Sequence, residues 1–176
     1  MRSRLETRRL TLRPLRAEDG PALMELLADP AATWHPYRQP RQPADAEALL
    51  AAELARWQAG MPARWAVIHA TELVGYAGFG PSPWPEHADA VDIGWRYAER
   101  WWGRGLAHEA GEAMLDELFR SRAARAALAT FEPSNHRIAA LLRRLGFVVT
   151  SEGTQYGHRV HVARLDAQRW RIPMTA

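Results

Sequence analysis

Between Ala90 and Arg122 the chain passes from a β-favouring stretch, through a glycine-bearing loop, into its longest amphipathic helix. That order constrains the fold more than any other feature of the sequence. Val91 to Tyr97 reads as a strand. Leu106 to Arg122 reads as a helix, because Ala110, Met114 and Leu118, with Leu115 and Phe119 beside them, recur at the spacing of one helical face. Gly103 and Gly105 in the joining loop lack Cβ, so the backbone there can approach a ligand and adopt positive φ. The first amides of the helix, from Leu106 through Ala107 and His108, have no intrahelical acceptor, and the helix dipole favours negative charge at that end. A pyrophosphate is a natural occupant. Arg100 and Arg104 flank the loop and add positive charge. A glycine turn that only packs a helix on a strand is the competing reading. The long helix and the two arginines bring the ligand reading level with it.

The rest of the chain supplies a sheet for this unit. Glu6 to Pro14 alternates apolar and polar residues and reads as a strand. Asp19-Gly20-Pro21 opens a helix carrying Leu23, Leu26 and Leu27, which Asp29-Pro30 stops. Residues 30–43, with four prolines, read as an irregular loop, and a second helix follows from Ala44 to Gln58. Trp65 to His69 and Leu73 to Phe79 form a hairpin, and Gly80 to Pro85 is a second proline-rich loop. Ala126 to Phe131 is a strand, Asn135 to Leu145 a helix, and Phe147 to Ser151 with Arg159 to Leu165 close the sheet. Hairpins mixed with strand-helix-strand crossovers imply one α/β (α+β) domain over residues 1–176, with a mixed, mostly antiparallel sheet flanked by helices.

Composition narrows the chemistry. The sequence has no Cys, and all 23 of its Lys+Arg residues are Arg. Disulfides, thiolate nucleophiles, Schiff-base lysines and a Gly-Lys-Ser/Thr phosphate loop are therefore excluded. The formal net charge of +3 permits a polyanionic partner without requiring one, and no aromatic-basic motif suggests nucleic acid. No apolar run approaches a membrane span, and Met1 to Glu6 lacks the apolar core of a signal peptide. A cytoplasmic protein with neither a membrane nor a nucleic-acid partner is the expectation. His158-x-x-His161 is a poor metal signal, since in a strand those side chains face opposite sides. No metal is expected.

Two spaced motifs carry a family resemblance. Trp102-Gly103-Arg104-Gly105-Leu106-Ala107 is followed by Glu109, and Asn135-His136-Arg137-Ile138 leads through Leu142 to Gly146-Phe147. Together they resemble the GNAT N-acetyltransferase superfamily, nearest its ribosomal-protein-alanine acetyltransferase branch. The first resembles the family's pyrophosphate loop, Gln/Arg-x-x-Gly-x-Gly/Ala, which the frame from Arg100 to Gly105 also fits. The second resembles Asn-x-x-Ser-x-x-Leu-x-x-Lys-x-Gly-Phe. The resemblance spans nearly the whole chain, from Leu10 to Leu165.

It implies acetyl-CoA as co-substrate. The amides from Gly103 to His108 would take the phosphates, and Trp95, Arg96 and Tyr97 would meet the acetyl and pantetheine groups. Asn135, in itself a helix cap, would bond the pantetheine arm. The implied reaction is transfer of acetyl to a primary amine, of a small molecule or a protein N-terminus, by direct attack, in a monomer or homodimer.

The amine reaches the enzyme as ammonium, so a base must take a proton. Asp92 stands where this branch often has Glu on the strand before the loop, and an Asp inside a strand calls for a reason. A polar residue on a wet face is its plainer role. Glu132 is the second candidate and His158 a third. An oxyanion donor would come from a backbone N–H of the Val91 to Tyr97 strand, which requires that strand to part from its neighbour. Trp34, Tyr37 and Trp84 on the proline-rich loops are candidates for shaping an acceptor pocket, whereas Trp57 belongs to the core. The family's Ser, and a Tyr of another branch, are replaced by Ile138 and Leu142, which leaves the thiolate's proton donor unassigned. Those departures motivate a second reading, a CoA-binding sensor or interaction module with little or no turnover.

Overall fold

The computed structural model describes residues 1–37 and 41–170, and of Pro36 and Tyr37 the backbone alone. In chain order its strands are β1 (Leu5–Glu6), β2 (Leu10–Pro14), β3 (Arg64–His69), β4 (Glu72–Pro81), β5 (Ala90–Tyr97), β6 (Ala126–Phe131), β7 (Val148–Gln155) and β8 (His158–Asp166). They form one sheet in the order β1-β2-β3-β4-β5-β6-β8-β7. Among the described residues every neighbouring pair is antiparallel except β5 with β6, which the crossover through the long helix makes parallel. The mixed, mostly antiparallel sheet expected from the sequence is thus present.

Helices cover both faces, so the sheet has two cores. On one face α4 (Leu106–Arg120) and α5 (His136–Arg144) bury Leu106, Met114, Leu118 and Leu142 against Ile93, Tyr97 and Ala129. On the other, α1 (Gly20–Ala28), α2 (Pro30–Tyr37) and α3 (Pro43–Gln58) bury Leu23, Leu27 and Ala46 against Ala66 and Tyr76. Trp57 is indeed a packing residue, edge-on to the fully buried Trp65 at 5.2 Å between ring centroids.

Three expectations need correction. The stretch after Asp29 is not wholly irregular: Pro30 opens α2, and the Asp29 carboxylate accepts the Ala31 N–H at 2.8 Å. The helical conformation breaks at His35 (φ −105°, ψ 128°), the residue that Pro36 forces out of the α region. The first strand is two, because Thr7 and Leu10 exchange hydrogen bonds and fold Leu5–Glu6 back onto Thr11–Leu12. The last hairpin is longer than its apolar residues suggested, since β7 continues through polar positions to Gln155 along an exposed sheet edge.

Candidate active site

β5 alternates cleanly. Ile93, Trp95 and Tyr97 join the core under α4, so Asp92, Gly94 and Arg96 face α1–α3. The ladder with β4 keeps one register from Gly75↔Tyr97 to Pro81↔Val91, and the Ala98 N–H donates to the Val74 carbonyl at 3.1 Å. In an antiparallel ladder hydrogen-bonded pairs alternate. Ala98, Arg96, Gly94 and Asp92 therefore spend their backbone groups on β4, and those of Ile93, Trp95 and Tyr97 point toward β6. Yet β6 meets β5 only over Ala90–Asp92, opposite Ala126–Leu128. Beyond Asp92 the two strands part: the Ile93 N–H closes the last rung, and the later groups aimed at β6 open into a gap. This is the divergence that an oxyanion donor requires.

A cavity of about 220 Å³ fills that gap. Its β5 side includes Asp92, Gly94 and Trp95, with Arg64 and Tyr76 behind them, and its other side includes Thr130, Glu132, Asn135, Ile138 and Tyr156. A Cβ added at Gly94 would meet nothing within 4 Å, so the floor there is bare. Asp92 and Glu132, from different strands, thus border one space. His35 also borders it, with Nδ1 3.1 Å from the Glu132 carboxylate. Sequence reasoning missed Arg64, Tyr76, His35 and Tyr156, because each arrives from an element distant in the chain.

The Asp92 Oδ1 is sealed from solvent with no hydrogen-bond partner among the described residues. Burial raises its carboxyl from 3.8 to about 7, and the positive charge of Arg64 pulls against that rise. Arg64 leans over Gly80, the cross-strand partner of Asp92, and is itself fixed by Glu53, whose side chain is 1% exposed, at 2.5 Å. A carboxyl held near neutrality inside a cleft has the properties of a general base for a physiological amine. Glu132 is buried beside His35.

The glycine loop leads away from the open end of β5. Gly103 and Gly105 have φ of 72° and 76°, the left-handed region in which other residues are strained. A Cβ at Gly103 would meet nothing within 4 Å, and at Gly105 only Arg9 Nη2 at 3.5 Å, so the outer side of the loop is open. Gly105 caps α4 without a side-chain bond, and the amides of Leu106 to His108, in the first turn, have no intrahelical acceptor. The arrangement fits a pyrophosphate.

Several contacts fix it. Glu109 accepts from Thr7 at 2.6 Å and from the Arg9 side chain at 2.6 Å, and Arg9 Nη1 donates to the Arg104 carbonyl at 2.9 Å. The Trp102 indole donates to the Tyr97 carbonyl at 2.8 Å, and Arg137 of α5 lies over the Trp102 ring at 5.0 Å. Loop, β5 edge and the start of α5 are therefore one assembly. Asn135 caps α5 by accepting the Ile138 N–H at 3.3 Å.

Of the other candidates, Arg96 borders the cavity and the rest lie elsewhere. Arg100 is paired with Glu72 at 2.6 Å rather than with the loop. Arg104 stacks on Trp101 at 4.8 Å, and His108 lies 3.3 Å from Glu112. The Arg96 side chain crosses to the α2 carbonyls of Ala32 and His35 and to the Tyr76 hydroxyl, on the wall facing α1–α3. Trp84 packs on Gly153 and bonds Thr130, while Trp34 is 52% exposed and lines no part of the cavity. The Tyr37 side chain lies outside the described residues. His158 does not border the cavity, and Leu142 is core. Among the described residues no helix is long and apolar enough to cross a membrane.

Comparison with known proteins places the chain in a family. The model of the acetyltransferase (GNAT) domain matches residues 9–148. The uncharacterized N-acetyltransferase p20 of Bacillus licheniformis is 29% identical over 149 residues, 81% of each chain. The crystal structure of an acetyltransferase from Agrobacterium tumefaciens str. C58 has a TM-score of 0.79 at 27% identity, over 94% of this chain and 95% of that one. RimL, a ribosomal L7/L12 alpha-N-protein acetyltransferase solved with coenzyme A, shares the fold at TM-score 0.78 and 18% identity, over 93% and 97%. A parted pair of central strands, leading to an open glycine turn at a helix start, is thus what a family that draws its acyl group from acetyl-CoA would need, and this chain belongs to that family, the GNAT acetyltransferases.

Proposed function

We propose that the protein transfers an acetyl group from acetyl-CoA to a primary amine, of a small molecule or a protein N-terminus, by direct attack in a ternary complex. The observation that carries this is the gap between β5 and β6, where backbone groups of β5 left unpaired by β6 and two carboxylates border one cavity, while the glycine loop follows the open end of β5 in the chain. Gly103, Arg104 and Gly105, with the amides of Leu106, Ala107 and His108, hold the pyrophosphate. The outward backbone groups of Trp95 and Tyr97 and the Asn135 side chain accompany the pantetheine arm. Arg96 serves as a strut for α2 on the acceptor wall.

Asp92 takes a proton from the ammonium, and Glu132 with His35 attracts the cation into place. The freed amine attacks the thioester carbonyl, and the N–H of Trp95 stabilises the oxyanion as it forms. As the C–S bond breaks, the departing thiolate takes up the second proton of the attacking nitrogen, so no acid is needed at the positions of Ile138 and Leu142. Absence of Cys and Lys agrees with a route lacking a covalent enzyme intermediate. A cytoplasmic, monomeric or homodimeric enzyme without a nucleic-acid partner completes the reading.

Calorimetry with coenzyme A tests the loop. In Gly105→Val the Cβ enters the ligand's side of the turn, and affinity should fall at least tenfold. Unchanged affinity removes the pyrophosphate assignment. Release of free thiol from acetyl-CoA with a panel of amines tests turnover, and its absence with every amine leaves only a CoA sensor.

A further inference from the structure

On the α1–α3 side of β4 and β5, three polar side chains keep unspent hydrogen-bonding capacity among the described residues. The Asp92 Oδ1 is buried and has no partner there. Arg64 gives its backbone N–H and its Nη1 to Glu53, at 2.7 and 2.5 Å, and its Nη2 gives no hydrogen bond. The Tyr76 hydroxyl accepts from Arg96 Nε at 3.0 Å, and its own hydrogen goes to no acceptor. All three residues border the cavity. A buried polar group left unpaired costs free energy, so a cluster of them inside one cleft points to a ligand that completes it.

The ladder sets their spacing. Gly80 pairs with Asp92, Gly78 with Gly94 and Tyr76 with Arg96, and cross-strand partners share a face of the sheet. Arg64 Nη2 lies 3.3 Å from where a Cβ of Gly80 would stand. The guanidinium therefore sits about one strand spacing, roughly 5 Å, across the face from Asp92. Gly94, the next residue of β5 on that face, has nothing within 4 Å of its Cβ position, so the floor beside the two groups is open. Glu53 is 1% exposed and committed to Arg64. It leaves the Nη2 side of the guanidinium to the cavity.

We propose that the acceptor is a free α-amino acid, its ammonium on Asp92 and its carboxylate on Arg64 Nη2 and the Tyr76 hydroxyl. One carbon separates the two charged groups of such a molecule, so one small ligand reaches a proton acceptor and two donors about a strand spacing apart. A carboxylate is the natural partner of a guanidinium edge. A polyamine would leave both donors unpaired and set a second cation against Arg64. In the reaction the C–N bond forms and the C–S bond breaks. Asp92 takes one ammonium proton, the thiolate a second, and the product is an N-acetyl amino acid. This rests on the transfer reading above and narrows its acceptor from any primary amine to one class.

The test supplies wild type and acetyl-CoA with the common L-amino acids, their amides, their decarboxylated amines and an alanyl peptide. Thiol release should give the preferred amino acid a kcat/KM about 100-fold or more above its own amide and amine, because a site built to bond a substrate group rejects the analogue lacking it. Mass spectrometry should find the N-acetyl amino acid. Tyr76→Phe removes one donor, and Glu53→Gln with Arg64→Gln removes the guanidinium without stranding a buried charge. Each should raise KM for the amino acid, about threefold in the first and about tenfold or more in the second. Coenzyme A affinity should hold, and the preference over the matched amide should shrink. An amide, amine or peptide used as well as the amino acid overturns the proposal, as does an unchanged KM in Tyr76→Phe together with an unchanged preference in the double variant. If the double variant does not fold, Tyr76→Phe and the matched acceptors decide. Thiol release with amines but with no amino acid sinks this proposal alone. A wild type that binds coenzyme A but releases no thiol with any acceptor sinks the transfer reading, and this proposal with it.

Discussion

Replacing Asp92 by Asn should make the protein more stable and less active at the same pH. Burial lifts the carboxyl from 3.8 in the unfolded chain to about 7 in the folded one, with the Arg64 charge already working against that rise. The folded state therefore prefers the protonated form. Its contribution to stability is fully present below about pH 4 and is lost as pH rises through about 7. At 1.36 kcal/mol per pH unit, ionising Asp92 in place costs about 4 kcal/mol. Asn has the same shape and no charge to lose. Urea titrations should show wild type and Asp92→Asn with a nearly constant difference below pH 4, and the variant should gain up to about 4 kcal/mol on wild type by pH 8. In the same pH series, kcat/KM of wild type should fall on the acidic side with a midpoint near 7. The variant should lose that limb and about 100-fold or more in rate at pH 8. A stability difference that does not widen between pH 4 and 8 refutes the burial argument. A retained limb with a rate near wild type removes Asp92 from proton transfer.

Two further outcomes follow from packing. Glu53→Ala strands the Arg64 guanidinium without its buried partner, which should destabilise by about 3 kcal/mol in urea titration. The freed positive charge should also lower the midpoint of the acidic limb, and a midpoint that stays put breaks the link between Arg64 and Asp92. Gly111→Ala places a methyl 2.8 Å from Leu145 Cδ1 and 3.2 Å from Trp95 Cζ2. Thermal or chemical unfolding should register a loss of about 1–3 kcal/mol from overpacking.

What the sequence made legible was local. The helix stripe of Ala110, Met114 and Leu118, the glycines at 103 and 105 and the cap at Asn135 each announce themselves within a few residues, and all stand where their pattern predicts. Pairings across the chain were not legible. Glu109 reads as one acidic residue after a loop, and only the fold brings Thr7 and Arg9 to it from the turn between β1 and β2. Nothing near Arg64 announces that it faces Asp92, since the two meet through successive ladders with β4. Tyr156 was passed over for a related reason: a turn residue announces no neighbour until strand pairing fixes where the turn lies. The α2 helix was missed because four prolines outweighed the one feature in its favour, that a proline tolerates the first helical position.

Only three residue pairs join β5 to β6, so the two halves of the sheet are stitched together by a seam shorter than any other between its long strands. A thin amide-bearing molecule lying along the open stretch would supply the rungs this seam lacks, and its binding would be felt as mechanical closure of the whole domain. The substrate would then act as a keystone. Loaded protein should melt as one unit, at a temperature that climbs with ligand concentration far more than the area of the glycine turn alone would suggest.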